Sequence, residues 1–280
     1  MVQKSYDGKA TLYLIPTPIG NLEDITMRSL KILNDVDFLL CEDTRVTSIL
    51  LNKYKIKKSL VRCDEYSQKK VKDKVLKALS EGKNVGLVSD AGSPVISDPG
   101  FIISKYVIDA SFNVVALPGA TAFVPALSVS GIFPSPFIFY GFLDNKITKK
   151  RKELDAIKMK TETLIFYESP HHLISTLEVM LDILGDRSMA ICREISKIHE
   201  EVIRGKISEC IDHLDNIKGE FVLIVEGATL DNDFHGIDII SHVNLYIEDG
   251  FKKMDAIKMV AKERGIAKSI VYKEYNKDDK

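Results

Sequence analysis

The chain has 280 residues, of which 45% are hydrophobic and 28% are charged. This balance is typical of a globular protein with a buried core and excludes a largely disordered chain, and the length fits two domains with a small third piece. The 39 basic and 40 acidic residues leave a net charge of −1. Any binding to nucleic acid must therefore depend on local basic patches rather than on a broad positive field.

In the first half of the chain, short apolar runs alternate with helical segments. Continuous apolar strands between helices are typical of a buried, mainly parallel sheet. Thr26 is well placed to cap the first helix, because its hydroxyl can accept a hydrogen bond from a free N–H group. The predicted elements are strands at Thr11–Ile15, Val36–Cys41, Val85–Val88 and Asn113–Leu117, and helices at Thr26–Leu33, at Val71–Leu79 and in a segment ending at Asp109.

The second half repeats this alternation and predicts a second α/β domain. Its predicted strands are Phe137–Phe142, Thr163–Phe166, Met189–Cys192 and Phe221–Val225, and its predicted helices are Lys149–Met159 and Leu173–Leu184.

The tail of the chain has a helical pattern. Phe251, Met254, Ile257 and Ala261 form one stripe at helical spacing, Gly265 ends that helix, and Lys268–Tyr275 can form another. We therefore predict an α/β fold with two α/β domains, over residues 1–131 and 132–231, and a small helical tail over 237–280.

A long uncharged stretch runs from Ala110 to Leu143 and is long enough to span a bilayer. Four prolines and three glycines divide it into pieces of ordinary globular length. We interpret it as a buried crossover between the two domains and expect no membrane helix.

The four cysteines are scattered, without a C-x-x-C pair or histidines at metal-ligand spacing. They are Cys41, Cys63, Cys192 and Cys210. We therefore expect no metal and no disulfide framework, as in a protein of the reducing cytoplasm. The first residues lack the apolar core of a signal peptide, so we expect no export.

Three loops rich in small residues, proline and glycine follow predicted strands: Pro16–Asn21, Ser89–Gly100 and Pro118–Ala122. In an open parallel sheet ligands bind at the carboxyl ends of strands, so the three loops indicate a single crevice. None of them has the G-x-G-x-x-G fingerprint of classical dinucleotide binding. An ordinary tight turn in the first loop, and a rigid connector with Asp90 and Asp98 as turn residues in the second, are the alternatives.

These loops, together with Glu42–Arg45 and the sequence Tyr-Glu-Ser-Pro-His at Tyr167–His171, resemble the ribosomal RNA small-subunit methyltransferase I family of the tetrapyrrole-methylase superfamily. The similarity runs from about Thr11 to Gly227 with the motifs in the right order. The resemblance implies two α/β domains of the class III methyltransferase type, with S-adenosylmethionine in the cleft between them. It also implies 2′-O-methylation of a decoding-centre cytidine in 16S rRNA within the small ribosomal subunit, and a homodimer.

The resemblance also implies which residues bind the cofactor. Glu168 and Gly227 would contribute from the second domain. At His172 this sequence departs from the family, which commonly has arginine there, so a permanent cation becomes a titratable group. The implied cofactor positions are Ile19, Gly20, Ala91, Gly92, Ser93, Ile96, Thr121, Ala122, Glu168 and Gly227.

Methyl transfer to a hydroxyl needs no metal, and a base near the hydroxyl would assist it. Candidate catalytic residues are those expected at strand ends facing the cleft. For Asp43 the alternative is helix N-capping, and for Glu194 it is a surface ion-pair cluster with Arg193 and Lys197. The candidates are Glu42, Asp43, Arg45, Glu168, His171 and Glu194.

Basic clusters are the candidates for RNA binding, because cations close together can follow phosphates. A solvated helix face is the alternative for each cluster, and packed helices are the alternative for the tail. The principal RNA-binding candidates are Lys149, Lys150, Arg151 and Lys152, beside Lys146. Further clusters are Lys53, Lys55, Lys57 and Lys58, and in the tail Lys252, Lys253, Lys258, Lys262, Lys268 and Lys273.

Two other functions are compatible with the same pattern. A tetrapyrrole methyltransferase would use the same fold and cofactor site, although the Glu42–Arg45 and Tyr167–His171 motifs favour the RNA branch. A non-catalytic RNA-binding module would retain the fold alone, and the intact set of small-residue loops argues against it.

Overall fold

The computed structural model describes residues 3–5, 7–64, 67–214, 217–229 and 237–277. The chain divides into two units, Met1–Gly227 and Ala228–Lys280. The first unit contains two five-stranded sheets, and the second contains helices. The domain boundary predicted at residue 131 falls after the last strand of the first sheet and before the first strand of the second sheet. Both sheets belong to the first unit, so this boundary stays a prediction.

The first sheet consists of β1 (Thr11–Ile15), β2 (Phe38–Cys41), β3 (Ser59–Arg62), β4 (Val85–Val88) and β5 (Asn113–Ala116). All its strands are parallel, in the order β3-β2-β4-β1-β5. Because β4, β1 and β5 are neighbours, the three small-residue loops that follow them emerge side by side at one edge of the sheet. This arrangement confirms the predicted parallel sheet and places a crevice at its carboxyl edge.

Helices of the first sheet are α1 (Met27–Asp35), α2 (Thr44–Lys53), α3 (Gln68–Ser80), α4 (Phe101–Asp109) and α5 (Phe123–Val129), with a short 3₁₀ turn at Leu22–Asp24. The predicted cap of α1 is confirmed, since the Thr26 hydroxyl accepts a hydrogen bond from the Ser29 N–H at 3.0 Å. Asp43 caps α2 in the same way, accepting from the Arg45 N–H at 2.8 Å.

The second sheet consists of β6 (Phe137–Phe142), β7 (Thr163–Glu168), β8 (Ser188–Arg193), β9 (Glu201–Lys206) and β10 (Phe221–Val225), in the order β6-β7-β10-β8-β9. Only the β6–β7 pair is parallel, and the other three pairs are antiparallel. Its helices are α6 (Ile147–Ile157), α7 (Leu173–Leu184) and α8 (Ile207–Asp212). The central strand β10 is buried along its whole length.

The sequence predicts every central strand but misses β3 and β9. Both are edge strands on which exposed and half-buried residues mix. Each pairs with a buried strand on one side only and lacks a continuous apolar run, which was the signal used for the other strands.

The second unit contains α9 (Ile239–Glu248), α10 (Lys253–Glu263) and α11 (Lys268–Tyr275). Gly265, at φ +62°, follows the end of α10, and α11 has the predicted bounds. The predicted apolar stripe is half correct: Ile257 and Ala261 are buried, whereas Phe251 and Met254 are exposed. Phe251 precedes the helix, so the buried face begins later along the chain than predicted.

The uncharged stretch from Ala110 to Leu143 is divided among β5, α5 and β6. Within the described part of the chain, no helix has the length and apolar character that crossing a bilayer requires.

Candidate active site

A cavity of about 390 Å³ lies between the loops of the first sheet and one face of the second sheet. Its volume is in the range of pockets that hold small ligands. It is lined by Ile19, Asp90, Ala91, Gly92, Ser93, Ile96, Ser97, Asp98, Thr121, Ala122, Phe142, Tyr167, Glu168, Ser169, Pro170, Ile195, Glu220, Phe221 and Val222.

The three small-residue loops are joined to one another by hydrogen bonds beneath this cavity. The Thr17 and Gly92 backbones exchange two hydrogen bonds, at 2.9 and 3.0 Å, and the Thr17 hydroxyl donates to the Ser89 carbonyl at 3.1 Å. The Ser93 hydroxyl donates to the Ala120 carbonyl at 3.2 Å, which joins the second loop to the third. These hydrogen bonds join the three loops into one cavity wall.

Eight of the ten expected cofactor residues line the cavity: Ile19, Ala91, Gly92, Ser93, Ile96, Thr121, Ala122 and Glu168. Gly20 and Gly227 lie outside the lining of the cavity. At both positions the surrounding atoms are packed too closely to admit a side chain. A Cβ atom on Gly20 would lie 2.2 Å from Cγ of Lys197, and one on Gly227 would lie 2.1 Å from the Thr161 carbonyl oxygen. The structure therefore gives these two glycines packing roles and leaves them off the cavity wall.

Glu168, at the end of β7, is a buried carboxylate with several partners. One oxygen accepts the Ser169 N–H at 2.7 Å, and the other accepts the Thr176 hydroxyl and lies 3.5 Å from Nζ of Lys150. Lys150 also donates to the Thr176 hydroxyl, and its side chain is 1% exposed. A charge buried to this degree persists only when it is paired.

The prediction that Lys150 contacts RNA phosphate is therefore wrong, because this lysine neutralises Glu168 inside the protein. The other three residues of its cluster are exposed. Lys149 pairs with Asp144 at 2.9 Å, Arg151 pairs with Asp182, and Lys152 has an exposed side chain.

Asp43 and Arg45 form an ion pair, in which the guanidinium donates to both carboxylate oxygens. The hydrogen bonds from Arg45 lower the pKa of Asp43 to about 2. A carboxylate that holds protons so weakly is a poor general base at neutral pH. Neither residue lines the cavity, nor does Glu42, and the helix-capping alternative for Asp43 is what the structure shows.

His171 is exposed and Glu194 lies off the cavity wall. The Glu194 carboxylate pairs with Lys197 at 2.7 Å and accepts the Glu220 N–H at 3.0 Å. The pair of Glu194 and Lys197 is part of the ion-pair cluster that was the alternative to a catalytic role, whereas Arg193 pairs with Glu201 at 2.7 Å. Only Glu168, of the catalytic candidates, faces the cavity.

The residue that the sequence interpretation missed is Asp98, which lies on the cavity wall. Burial, followed by repulsion from the Glu42 and Asp90 carboxylates, raises the pKa of Asp98 to about 7. Tyr167 faces the same cavity, and burial raises its pKa as well. A local sequence gives no sign of such a shift, since Ser-Asp-Pro-Gly is also an ordinary turn sequence.

A second, more open groove adjoins the cavity and shares Phe142, Glu168 and Ser169 with it. Lys146, Lys149 and His172 line this groove. The Phe142 ring is 55% exposed. Cations beside an exposed aromatic ring are the combination that binds phosphates and bases. Among the described residues, no cluster of side chains suited to holding a metal ion is found.

Comparison with known proteins agrees with this architecture. The family of tetrapyrrole (corrin/porphyrin) methylases matches residues 11–211, and the chain belongs to this family. Uroporphyrin-III-C-methyltransferase from Thermus thermophilus superposes with a TM-score of 0.56 at 19% identity, covering 78% of this chain and 94% of that one. Cobalt precorrin-4 methyltransferase gives 0.57 at 18% identity, covering 81% and 98%. At such identities these structures establish the fold alone.

Curated relatives are more similar in sequence. Ribosomal RNA small subunit methyltransferase I of Bacillus subtilis is 46% identical over 98% of both chains. The protein of that name from Halalkalibacterium halodurans is 42% identical over 99% of both. The one from Thermotoga maritima is 46% identical over 77% of this chain and 98% of its own length.

Proposed function

We propose that this protein transfers a methyl group from S-adenosylmethionine to ribosomal RNA of the small subunit, at the ribose 2′-hydroxyl of a decoding-centre cytidine. The observation that carries the proposal is the gathering of eight expected cofactor residues on one cavity, in a chain 46% identical over nearly its full length to a ribosomal RNA small subunit methyltransferase I.

The residues on the cavity wall fit adenosylmethionine. Small side chains at Ala91, Gly92 and Ala122 leave room for a ligand to reach the backbone, and Ile19 and Val222 offer apolar surface for an adenine ring. When bound, adenosylmethionine supplies an electrophilic methyl group. The three hydrogen-bonded loops hold their ligand in one orientation. Positioning of the two reactants provides much of the rate acceleration in such transfers.

The RNA substrate fits the adjoining groove by charge. Lys146 provides a cation for phosphate, Lys149 provides a second one that it shares with Asp144, and the exposed Phe142 ring offers a surface on which a displaced base can stack. Arg151 and Lys152 extend the cationic surface along α6. With a net charge of −1 for the whole chain, such a patch favours a substrate of matching shape over RNA in general.

We also propose that the protein is a cytoplasmic homodimer. The homodimer rests on the family resemblance, and the cytoplasmic location is supported by the four cysteines, which are buried and form no disulfide. Sedimentation equilibrium distinguishes a monomer of 31.4 kDa from a dimer.

The experiment that tests the proposal compares two acceptors. Purified protein with methyl-labelled adenosylmethionine is incubated with unmethylated small ribosomal subunits and, separately, with uroporphyrinogen. Label in a single ribose of 16S rRNA supports the proposal. Label in the porphyrinoid alone moves the function to the tetrapyrrole branch, and absence of adenosylmethionine binding by calorimetry would leave a non-catalytic RNA-binding module.

A further inference from the structure

The second unit, Ala228–Lys280, lies apart from the site described above: none of its described residues lines the cavity or the adjoining groove. We propose that the exposed face of α11 is a further contact with RNA of the small ribosomal subunit, which raises affinity for the substrate and takes no part in methyl transfer. This inference rests on the proposed function and adds an anchoring surface to it.

The length of one relative separates α9–α11 from the methyl-transfer site. The alignment with the Thermotoga maritima protein covers 218 residues and 98% of that chain, which is close to the 227 residues of the first unit. The match to the family model ends at residue 211. The second unit is therefore an addition to the part of the chain that contains the cavity.

Helices α9, α10 and α11 pack around a small core of their own. Val243, Ile257 and Val271, one from each helix, are fully buried in it. Near the end of α11, the Tyr275 hydroxyl donates to Oδ1 of Asn244 in α9 at 2.6 Å. These contacts fix one side of α11 to the other two helices and leave its opposite side in solvent.

The solvent side of α11 combines two cations with an aromatic ring. Lys268 and Tyr272 are four residues apart, as are Ser269 and Lys273, so these four side chains are neighbours on one face of the helix. All four are exposed, and Tyr272 is 48% exposed. A ring in this setting can stack on an unpaired base while the lysines on either side bind its phosphates.

Charge favours a polyanion as the partner. Residues 252–273 contain seven basic and two acidic side chains, hence a net charge of +5, in a chain whose total is −1. Three of the seven cations have partners within the unit: Lys253, Lys258 and Arg264. Four form no ion pair within the described part of the chain: Lys252, Lys262, Lys268 and Lys273. Two of these four flank Tyr272.

The side chains of α11 suit RNA better than duplex DNA. Two helices joined by a four-residue turn, as α10 and α11 are, can also place the second helix in a DNA groove. Proteins that read base pairs there rely on arginine, asparagine and glutamine, and Lys268–Tyr275 contains none of the three. An exposed ring beside lysines is instead suited to the unpaired bases of a folded RNA.

The test measures binding of the full chain to unmethylated small subunits over a range of salt concentrations. The double variant Lys268→Gln, Lys273→Gln should lower the slope of log affinity against log salt by about 1.4–1.8, because each lost phosphate contact lowers it by about 0.7–0.9. Tyr272→Ala should weaken binding by about 5- to 150-fold, the range for loss of one stacked base. All three residues are exposed, so urea unfolding should match that of the wild type.

A matched control removes two other charges from the same unit. The double variant Lys258→Gln, Lys277→Gln loses lysines that Asp255 and Glu274 already neutralise, at 3.0 and 2.6 Å. Its salt slope should stay near that of the wild type. If both double variants gave the same titration as the wild type, and Tyr272→Ala bound equally well, the proposal would be overturned.

Kinetics distinguish an anchoring surface from a part of the active site. The α11 variants should raise KM for small subunits without lowering kcat at saturation, and calorimetry should give an unchanged affinity for adenosylmethionine. A lowered kcat with unchanged KM would contradict the proposal. So would a loss of affinity for a DNA duplex with unchanged binding to subunits. Subunit binding that depends on Lys268 and Lys273, without methyl transfer, would refute the proposed function and leave this inference standing.

Discussion

Replacing Gly92 by valine should block the cofactor cavity. Gly92 lies in the second loop with φ +84°, and a Cβ atom there would lie 3.4 Å from Cγ2 of Ile19 and 3.7 Å from the Ala120 carbonyl oxygen. The Cβ atom itself therefore just fits. Valine adds two methyl groups about 1.5 Å further out, and at least one of them must press on Ile19 or enter the cavity.

The substitution changes two free energies, that of cofactor binding and that of folding, and a control variant separates them. Overpacking of this kind costs about 1–3 kcal/mol, which is roughly 5- to 150-fold in affinity when the ligand has to make room. The positive φ angle adds a folding cost of about 1–3 kcal/mol for a branched side chain. Gly82→Val is the matched control, because Gly82 has φ +81° but a Cβ atom there would meet nothing within 4 Å.

Calorimetric titration with adenosylmethionine and thermal unfolding measure the two effects. Both variants should lose similar stability, about 2–4 °C of melting temperature for each kcal/mol, whereas only Gly92→Val should lose affinity. If a folded Gly92→Val protein bound adenosylmethionine as tightly as Gly82→Val, the placement of the cofactor in this cavity would be refuted.

Three further outcomes are expected. Lys150→Met should destabilise the fold by about 3–5 kcal/mol in urea unfolding, because Glu168 would remain buried without its counter-ion. The control Lys152→Met should change stability little. Equal stabilities of the two variants would show that the buried ion pair contributes nothing to stability. Neutralising Lys146 and Lys149 should weaken binding to small subunits. It should also lower the slope of log affinity against log salt by about 0.7–0.9 for each phosphate that the protein no longer neutralises. Superimposable salt titrations would show that these lysines do not contact RNA. Turnover should be much faster on small subunits or a late precursor than on naked RNA, because a folded particle presents the ribose with less ordering cost; equal rates on a short oligonucleotide would indicate single-strand recognition.

The sequence predicts the core of the fold because buried central strands are continuous apolar runs. β1, β4 and β10 are of this kind, and their bounds were predicted correctly. The edge strands β3 and β9 mix exposed and half-buried residues and have no continuous apolar run, so the same rule misses them. The crevice was also predictable, because loops of small residues after three strands can meet only at one edge.

The chemistry of individual side chains was harder to predict. Lys150 stands among exposed basic residues in the sequence, and only the packing of α6 against α7 and β7 reveals its buried partner Glu168. Asp98 has the sequence of a turn residue, and its raised pKa depends first on burial and then on Glu42, at the end of β2, and Asp90, in its own loop. Burial and long-range charge are properties of the folded chain.

The most direct test of the proposed function is a map of ribose methylation in 16S rRNA, made by mass spectrometry on cells with and without this gene. We predict that one 2′-O-methyl cytidine of the decoding centre disappears without the gene and returns when the isolated subunits are treated with purified protein and adenosylmethionine. An identical methylation map in both strains, with no methyl transfer to the isolated subunits, would contradict the proposed function.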